Sequence, residues 1–350
     1  MSEKQTRKSA HGSLSPRGFD KELAELEAFA GSMKAGSSLD AAAIEHLRKT
    51  LAHRNNFIVA KAAKLVADAE LFDLLPDALA AFDRFFIDAA KADPQCWAKN
   101  ALAKTLVKLE HRQKDAYLRG LRHHQMEGTW GGASDTAGAL RGTCVHALVD
   151  CPGIGDADLL TILLEPLTDT DKTVRMEAAR AIGQVGGVSA ALLLRLRALL
   201  GPALRDHDEP EVLGAVFSAL LSVEGERAVG LVAGHLKEGD DIAAEAAFAL
   251  SEMRTAESLV VLIDRLRAGA DAWFGSVLLS AIAITRMDEA MDFLTDLIAR
   301  DAREAPAAIE AIARTSPSAE QRARVQQAVD QADSRQLQES FRRHFPAPAP

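Results

Sequence analysis

A short pattern recurs eight times along this 350-residue chain. Its clearest copy is Asp171-Lys172-Thr173-Val174-Arg175-Met176-Glu177-Ala178-Ala179-Arg180-Ala181-Ile182-Gly183. Val174 is followed four residues later by the pair Ala178-Ala179, and Ile182 comes three residues after the pair. These spacings put all of them on one helical face. Small side chains there let a second helix approach closely. A short helix with such a face cannot bury it alone, so the chain must stack on itself.

The pair serves as a ruler. It falls at 62/63, 102/103, 144/145, 178/179, 216/217, 246/247, 278/279 and 308/309, with Ala-Ala at 62/63, 178/179 and 246/247 and looser matches elsewhere, at spacings of 40, 42, 34, 38, 30, 32 and 30 residues. Each unit has room for two helices of about three turns with short connections. Asp171, Asp241 and Asp271 stand where helix N-caps are needed. Gly201-Pro202, Gly225 and Gly239 read as breaks. Only 5% of the residues are aromatic while 48% are hydrophobic, which suits thin helix pairs stacked in one dimension. The expected fold is an all-α, right-handed α-α superhelix (an α-solenoid) of about eight helix pairs. Residues 1–18 read as a disordered basic tail and 19–345 as one solenoid. Within it, repeats are long and irregular over 19–150 and short and regular over 151–315. A polar cap covers 316–345, from helices near Ala319–Ala332 and Ser334–Phe345, and a Pro/Ala tail follows at 346–350.

The Val-Arg-Met-Glu-Ala-Ala-Arg-Ala-Ile-Gly segment after Asp-Thr-Asp-Lys resembles the second helix of a HEAT repeat. The short C-terminal spacing is similar to the HEAT-like repeats first named from phycobilin lyases. The resemblance covers roughly residues 40–315 and speaks to fold more than to function. It implies that the second helix of each pair lines a concave binding face.

Charge divides the chain. Residues 1–150 hold 21 Lys plus Arg against 19 Asp plus Glu, and residues 151–350 hold 20 against 31. The net charge is −9, which disfavours non-specific binding to nucleic acid. Three cysteines without Cys-x-x-Cys spacing give no disulfide framework or zinc signature. The N-terminus lacks the apolar stretch of a secretory signal and no apolar run reaches membrane-spanning length. A cytoplasmic protein without membrane contact or cofactor is expected.

The ruler predicts which residues face the groove. Two positions after the first small residue stand Lys64, Lys104, His146, Arg180, Ser218, Phe248, Ser280 and Glu310, running from basic to acidic. Three positions before it stand Lys99, Arg141 and Arg175. Such a basic strip would attract an acidic peptide, a phosphorylated segment or a phosphate backbone. Ordinary solvated helix charges, such as a local Glu177–Arg180 pair, would look the same in sequence.

The segment from His123 to Asp135 departs most from the pattern. Trp130 could stack on a ligand, and His123, His124, Glu127 and Asp135 could in principle hold a metal. A structural loop, with Trp130 packed over helix ends and Asp135 as an N-cap, is the plainer reading. Asp206-His207-Asp208-Glu209 resembles a metal cluster but precedes Pro210, where acidic residues favour a helix N-terminus. Trp273 is expected at the groove rim, a position typical of binding hot spots.

Enzymatic relatives of the fold leave little trace. The iron-binding His-Glu dipeptides of HEAT-like hydroxylases are absent. The low aromatic content and acidic second half fit poorly with HEAT-like DNA glycosylases, although Trp97 and Trp130 lie near the basic strip. No phosphate-binding or nucleophile-elbow motif appears. The leading expectation is a non-enzymatic scaffold or adaptor that binds a protein partner in its groove, through an acidic segment on the N-terminal repeats. The alternatives are a nucleic-acid-binding or DNA-repair protein and a metal- or ligand-dependent function of the 123–135 loop.

Overall fold

The computed structural model describes residues 16–34, 39–201 and 209–346. The chain divides into two compact units, Met1–Gly153 and Ile154–Pro350. Both are built from short helices paired and stacked along the chain, and the all-α solenoid expected from the sequence is what forms.

The first unit contains α1 (Pro16–Lys34), α2 (Ala41–Leu51), α3 (Asn56–Asp68), α4 (Leu75–Arg84), α5 (Ala89–Ala92), α6 (Trp97–Lys108), α7 (Lys114–Leu121) and α8 (Gly138–Val149). Helices α1, α3, α6 and α8 pack in that order as one layer, with α2, α4 and α7 behind them. An antiparallel hairpin, β1 (Met126–Thr129) and β2 (Gly132–Asp135), rises between α7 and α8. Its two-residue turn is Trp130-Gly131, and Gly131 takes a positive φ of 98° that a side chain would resist.

The second unit contains α9 (Asp156–Leu164), α10 (Lys172–Val185), α11 (Gly187–Leu200), α12 (Pro210–Glu224), α13 (Val229–Ala233), α14 (Asp241–Met253), α15 (Ala256–Arg267), α16 (Ala272–Ile284), α17 (Asp288–Ala299), α18 (Ala305–Arg314), α19 (Ala319–Ala332) and α20 (Arg335–His344). The layer α10, α12, α14, α16, α18, α20 runs through it. The last two helices fall where the sequence places its polar cap.

The ruler is physically sound. Both residues of every pair, from Ala62-Ala63 to Ala308-Ile309, are buried, and each pair lies on a helix of the inner layer. Its small residues set helix separation. A Cβ added at Gly183 of α10 would sit 2.9 Å from the Ala219 Cβ and 3.2 Å from the Ala219 Cα on α12. Large apolar residues flanking the pairs, such as Ile58, Leu106, Leu148, Val174 and Ile182, are fully buried. Each contributes roughly 1.5–3 kcal/mol relative to exposure.

Capping follows the sequence with one shift. Asp171 and Asp271 cap α10 and α16. For α14 the cap is Asp240, whose Oδ1 accepts from the Ala243 N–H at 2.9 Å, and Asp241 is already the first helical residue. Gly225 and Gly239 end segments with positive φ, as their role as breaks requires. The predicted tail over 1–18 lies outside the described residues up to position 15, and α1 begins at Pro16. Residues 202–208, including most of the Asp206–Glu209 cluster, and the tail from 347 also lie outside. No helix among the described residues is long and apolar enough to cross a membrane.

Candidate functional site

The two predicted columns have opposite fates. Lys64 and Lys104 are exposed, and His146 is half-buried. In the second unit Arg180 is exposed and pairs with Glu177 at 2.7 Å, while Ser218, Phe248, Ser280 and Glu310 are half-buried. The +2 position is therefore exposed or half-buried in every repeat.

The position three before the pair does not, and the expectation that it lines a groove is corrected. Val59, Leu213, Ala243 and Ala305 occupy it in other repeats, and all are buried. Lys99 is fully buried and Arg141 is 1% exposed. The side chain of Arg175 is 12% exposed. Five residues separate −3 from +2, about 140° around the helix, so the two positions face different sides and −3 is the packed one. Each buried cation is instead tied to the loop before its own helix. Lys99 Nζ lies 3.1 Å from Asp93 Oδ2. Arg141 donates to Asp135 Oδ2 at 2.7 Å and to the His123 carbonyl at 3.1 Å. Arg175 donates to the carbonyl of Asp169 at 2.7 Å and pairs with Glu209. The spacing Asp-x5-Lys/Arg (93/99, 135/141, 169/175) was visible in the sequence and marks these cations as loop anchors.

The 123–135 segment is likewise structural in its polar groups. Burial opposes the charge on Asp135, but N–H donors from Gln125 and Ala137, together with His124 and Arg141, outweigh it and hold the carboxyl far below the usual range. Ala137, not Asp135, is the N-cap residue of α8. Glu127 accepts from the Gln95 N–H at 2.8 Å, from Gln95 Nε2 at 2.9 Å and from Thr136 Oγ1 at 2.9 Å. His123 packs edge-on against Phe86 and meets Gln125, and burial lowers its pKa. Of the four metal candidates, His124 and Asp135 hydrogen-bond each other at 2.9 Å and Gln125 bonds His123, Glu127 and Asp135, but no three of the four bring their donor atoms within 4.8 Å of one another. Among the described residues, the donors that do gather within 4.8 Å are Glu22, Glu25 and His46, with His46 Nε2 3.4 Å from each carboxylate. Trp130 is fully exposed at the hairpin tip and covers no helix end. Trp273 is half-exposed beside Phe274. All three cysteines are buried and unpaired, and burial pushes the Cys96 thiol up to about 11.

What the structure does bring together is a groove of about 700 Å³ between α3 and α6. One end is aromatic: Phe57 and Trp97 meet edge to face at 5.5 Å, and Trp97 is half-exposed. Lysines line the rest of its length: Lys61 beside Phe57, then Lys64, Lys104 and Lys108. Lys64 pairs with Asp68 at 2.6 Å and Lys108 with Glu70 at 2.6 Å. Lys61 lies 5.4 Å from the centre of the Phe57 ring. Neither Lys61 nor Lys104 shows an ion-pair partner among the described residues. A second groove of about 410 Å³ lies between α1 and α3, with Lys61, Lys64 and Asp68 shared between the two.

The sequence reading found Lys64 and Lys104 but missed Phe57, Lys61 and Lys108 and set Trp97 aside. The 40-residue offset between the first two pairs would have found them. It aligns Phe57 with Trp97, Lys64 with Lys104 and Asp68 with Lys108, and each set recurs at helical spacing.

No family model matches the chain, and no curated protein is similar to it. Among solved structures it is similar to the crystal structure of an engineered protein from a structural genomics consortium. That match has 16% identity over 95% of this chain and 96% of the other, with a TM-score of 0.35.

Proposed function

We propose that this is a HEAT-like scaffold that binds an anionic protein segment in the α3–α6 groove. The carrying observation is the groove itself. Aromatic surface at one end and four lysines along its walls form an amphipathic cleft on a chain that is acidic overall. The fitting ligand presents an apolar side chain to Phe57 and Trp97 and carboxylates or phosphates to Lys61 and Lys104. Asp68 is the one carboxylate lining this groove, and it is taken up by Lys64. That lining suits recognition better than proton transfer. The repeat pattern and its buried small pairs support the HEAT-like reading.

The test is fluorescence anisotropy of a labelled peptide rich in Glu and Leu, titrated with the full chain. The expected result is saturable binding that weakens with salt. It should weaken at least tenfold in Lys61→Glu/Lys104→Glu, since each reversal replaces attraction with repulsion. Equal binding by the variant would overturn the proposal. A nucleic-acid reading predicts instead tighter binding of a single-stranded oligonucleotide than of the peptide, with bases stacking on Trp97.

A further inference from the structure

Helix α11 is apolar on two opposite sides. Its inner side, facing α12, carries Ala190, Ala191, Leu194 and Ala198, all buried. Its outer side carries Val188, Leu192, Leu196 and Leu199, which are 78, 62, 55 and 61% exposed, and Leu200 at 46%. Val188, Leu192 and Leu196 stand at i, i+4 and i+8, with Leu199 a turn further, so they form one continuous ridge. A helix apolar all round is normally covered all round. The contrast within the same unit is clear. On α17 the exposed positions are Asp288, Glu289, Asp292 and Asp296, as expected of an outer helix facing water.

The residues outside the described ones offer few large apolar side chains to match the ridge. Residues 1–15, 35–38, 202–208 and 347–350 contain only Met1, Leu14 and Leu204 as large apolar side chains. We propose that α11 is the interface between two copies of this chain, packed ridge to ridge about a two-fold axis. The five outer side chains leave on the order of 500 Å² of apolar surface open, in the upper part of the range for the largest patch on a monomer, which is often functional. Pairing two copies would remove about 1,000 Å² from water before flanking residues are counted, the threshold for a specific interface. A ridge of like residues is its own complement when antiparallel, as an isologous contact requires. Leu192 then faces Leu196 of the second copy, and Val188 faces its Leu199. The flank does not repel an identical surface. Arg195 is paired with Glu224 and donates to the Arg227 carbonyl at 3.2 Å, and Arg197 is engaged as well.

Light scattering of the full chain from about 1 to about 100 μM tests this. The wild type is expected to approach twice the monomer mass. Leu192→Asp/Leu196→Asp changes two side chains that are more than half exposed, and should weaken association at least a hundredfold. The control Val260→Asp, an exposed residue on α15, should dimerise as the wild type does. Circular dichroism checks that all three are equally helical. A wild type that stays monomeric throughout, or a Leu192→Asp/Leu196→Asp protein that dimerises unchanged, would overturn the proposal.

Discussion

Replacing Lys99 by Met separates the two lysine columns most sharply. Lys99 and Asp93 are both fully buried. The Asp93 carboxylate lies 3.1 Å from Lys99 Nζ. It also accepts from the Ala98 and Lys99 backbone N–H groups and from Asn56 Nδ2, each at 2.9 Å. Methionine keeps most of the stem and removes the ammonium, leaving a buried carboxylate with three neutral donors. Breaking a buried pair costs about 3–5 kcal/mol, and the remaining donors place this case near the lower end, about 3 kcal/mol. For a chain with units of this size that is a fall of about 6–12 °C in melting temperature. Asp93→Asn/Lys99→Met removes both charges and should recover to within about 1 kcal/mol of the wild type. Lys104→Met, on the exposed column, should stay within about 0.5 kcal/mol. Urea unfolding followed by circular dichroism measures all three. A Lys99→Met protein as stable as the wild type, or a double variant no better than the single, would refute the loop-anchor reasoning.

Other consequences follow from close packing and from charge. Gly183→Ala should destabilise by about 1 kcal/mol in thermal melts, since crowding Ala219 costs about 1–3 kcal/mol and helix propensity returns about 1. Asp135 has a depressed folded pKa, so its stabilisation is complete above the unfolded value near 4 and is lost as pH falls below it. Unfolding free energy between about pH 5 and pH 2 should therefore fall more steeply in the wild type than in Asp135→Asn. Glu245 behaves oppositely: burial, then Glu211, Asp241 and Glu252, raise its pKa. Glu245→Gln should raise the melting temperature by about 1–2 °C at pH 7, with the gain vanishing below about pH 4.

The fold was legible because its signal is local and repeated. An apolar pair, Ala-Ala in three copies and looser in five, flanked by large apolar residues at helical spacing dictates both helix and stacking, and both of its residues are buried in all eight copies. Single residues were harder. Asp240 and Asp241 are both good caps, and only the backbone decides between them. Lys99 and Arg141 read as surface charges because a cation is buried only when a carboxylate meets it, and whether one six residues earlier does so depends on the backbone between them. Asp93 and Asp135 do so from loops that composition leaves open. The hairpin was hidden for a similar reason. Four-residue strands in a Gly-rich segment carry little alternation, and the hairpin is held by Gln125 and Glu127 meeting the Asp93–Gln95 turn, with Thr136 donating to Glu127. The groove was half visible: Lys64 and Lys104 follow from the ruler, while the aromatic end required comparing the two repeats.

The central claim is that the α3–α6 cleft is where this protein captures an anionic segment. Trp97 sits in the cleft, whereas Trp130 and Trp273 lie on the hairpin tip and on α16. A protein with Trp130→Phe and Trp273→Phe therefore reports on the cleft alone. Titrating it with the acidic, leucine-bearing peptide should change Trp97 emission saturably, at the affinity seen by anisotropy, and Lys61→Glu/Lys104→Glu should abolish the change. Binding by anisotropy with Trp97 emission unmoved would place the ligand elsewhere and contradict the account.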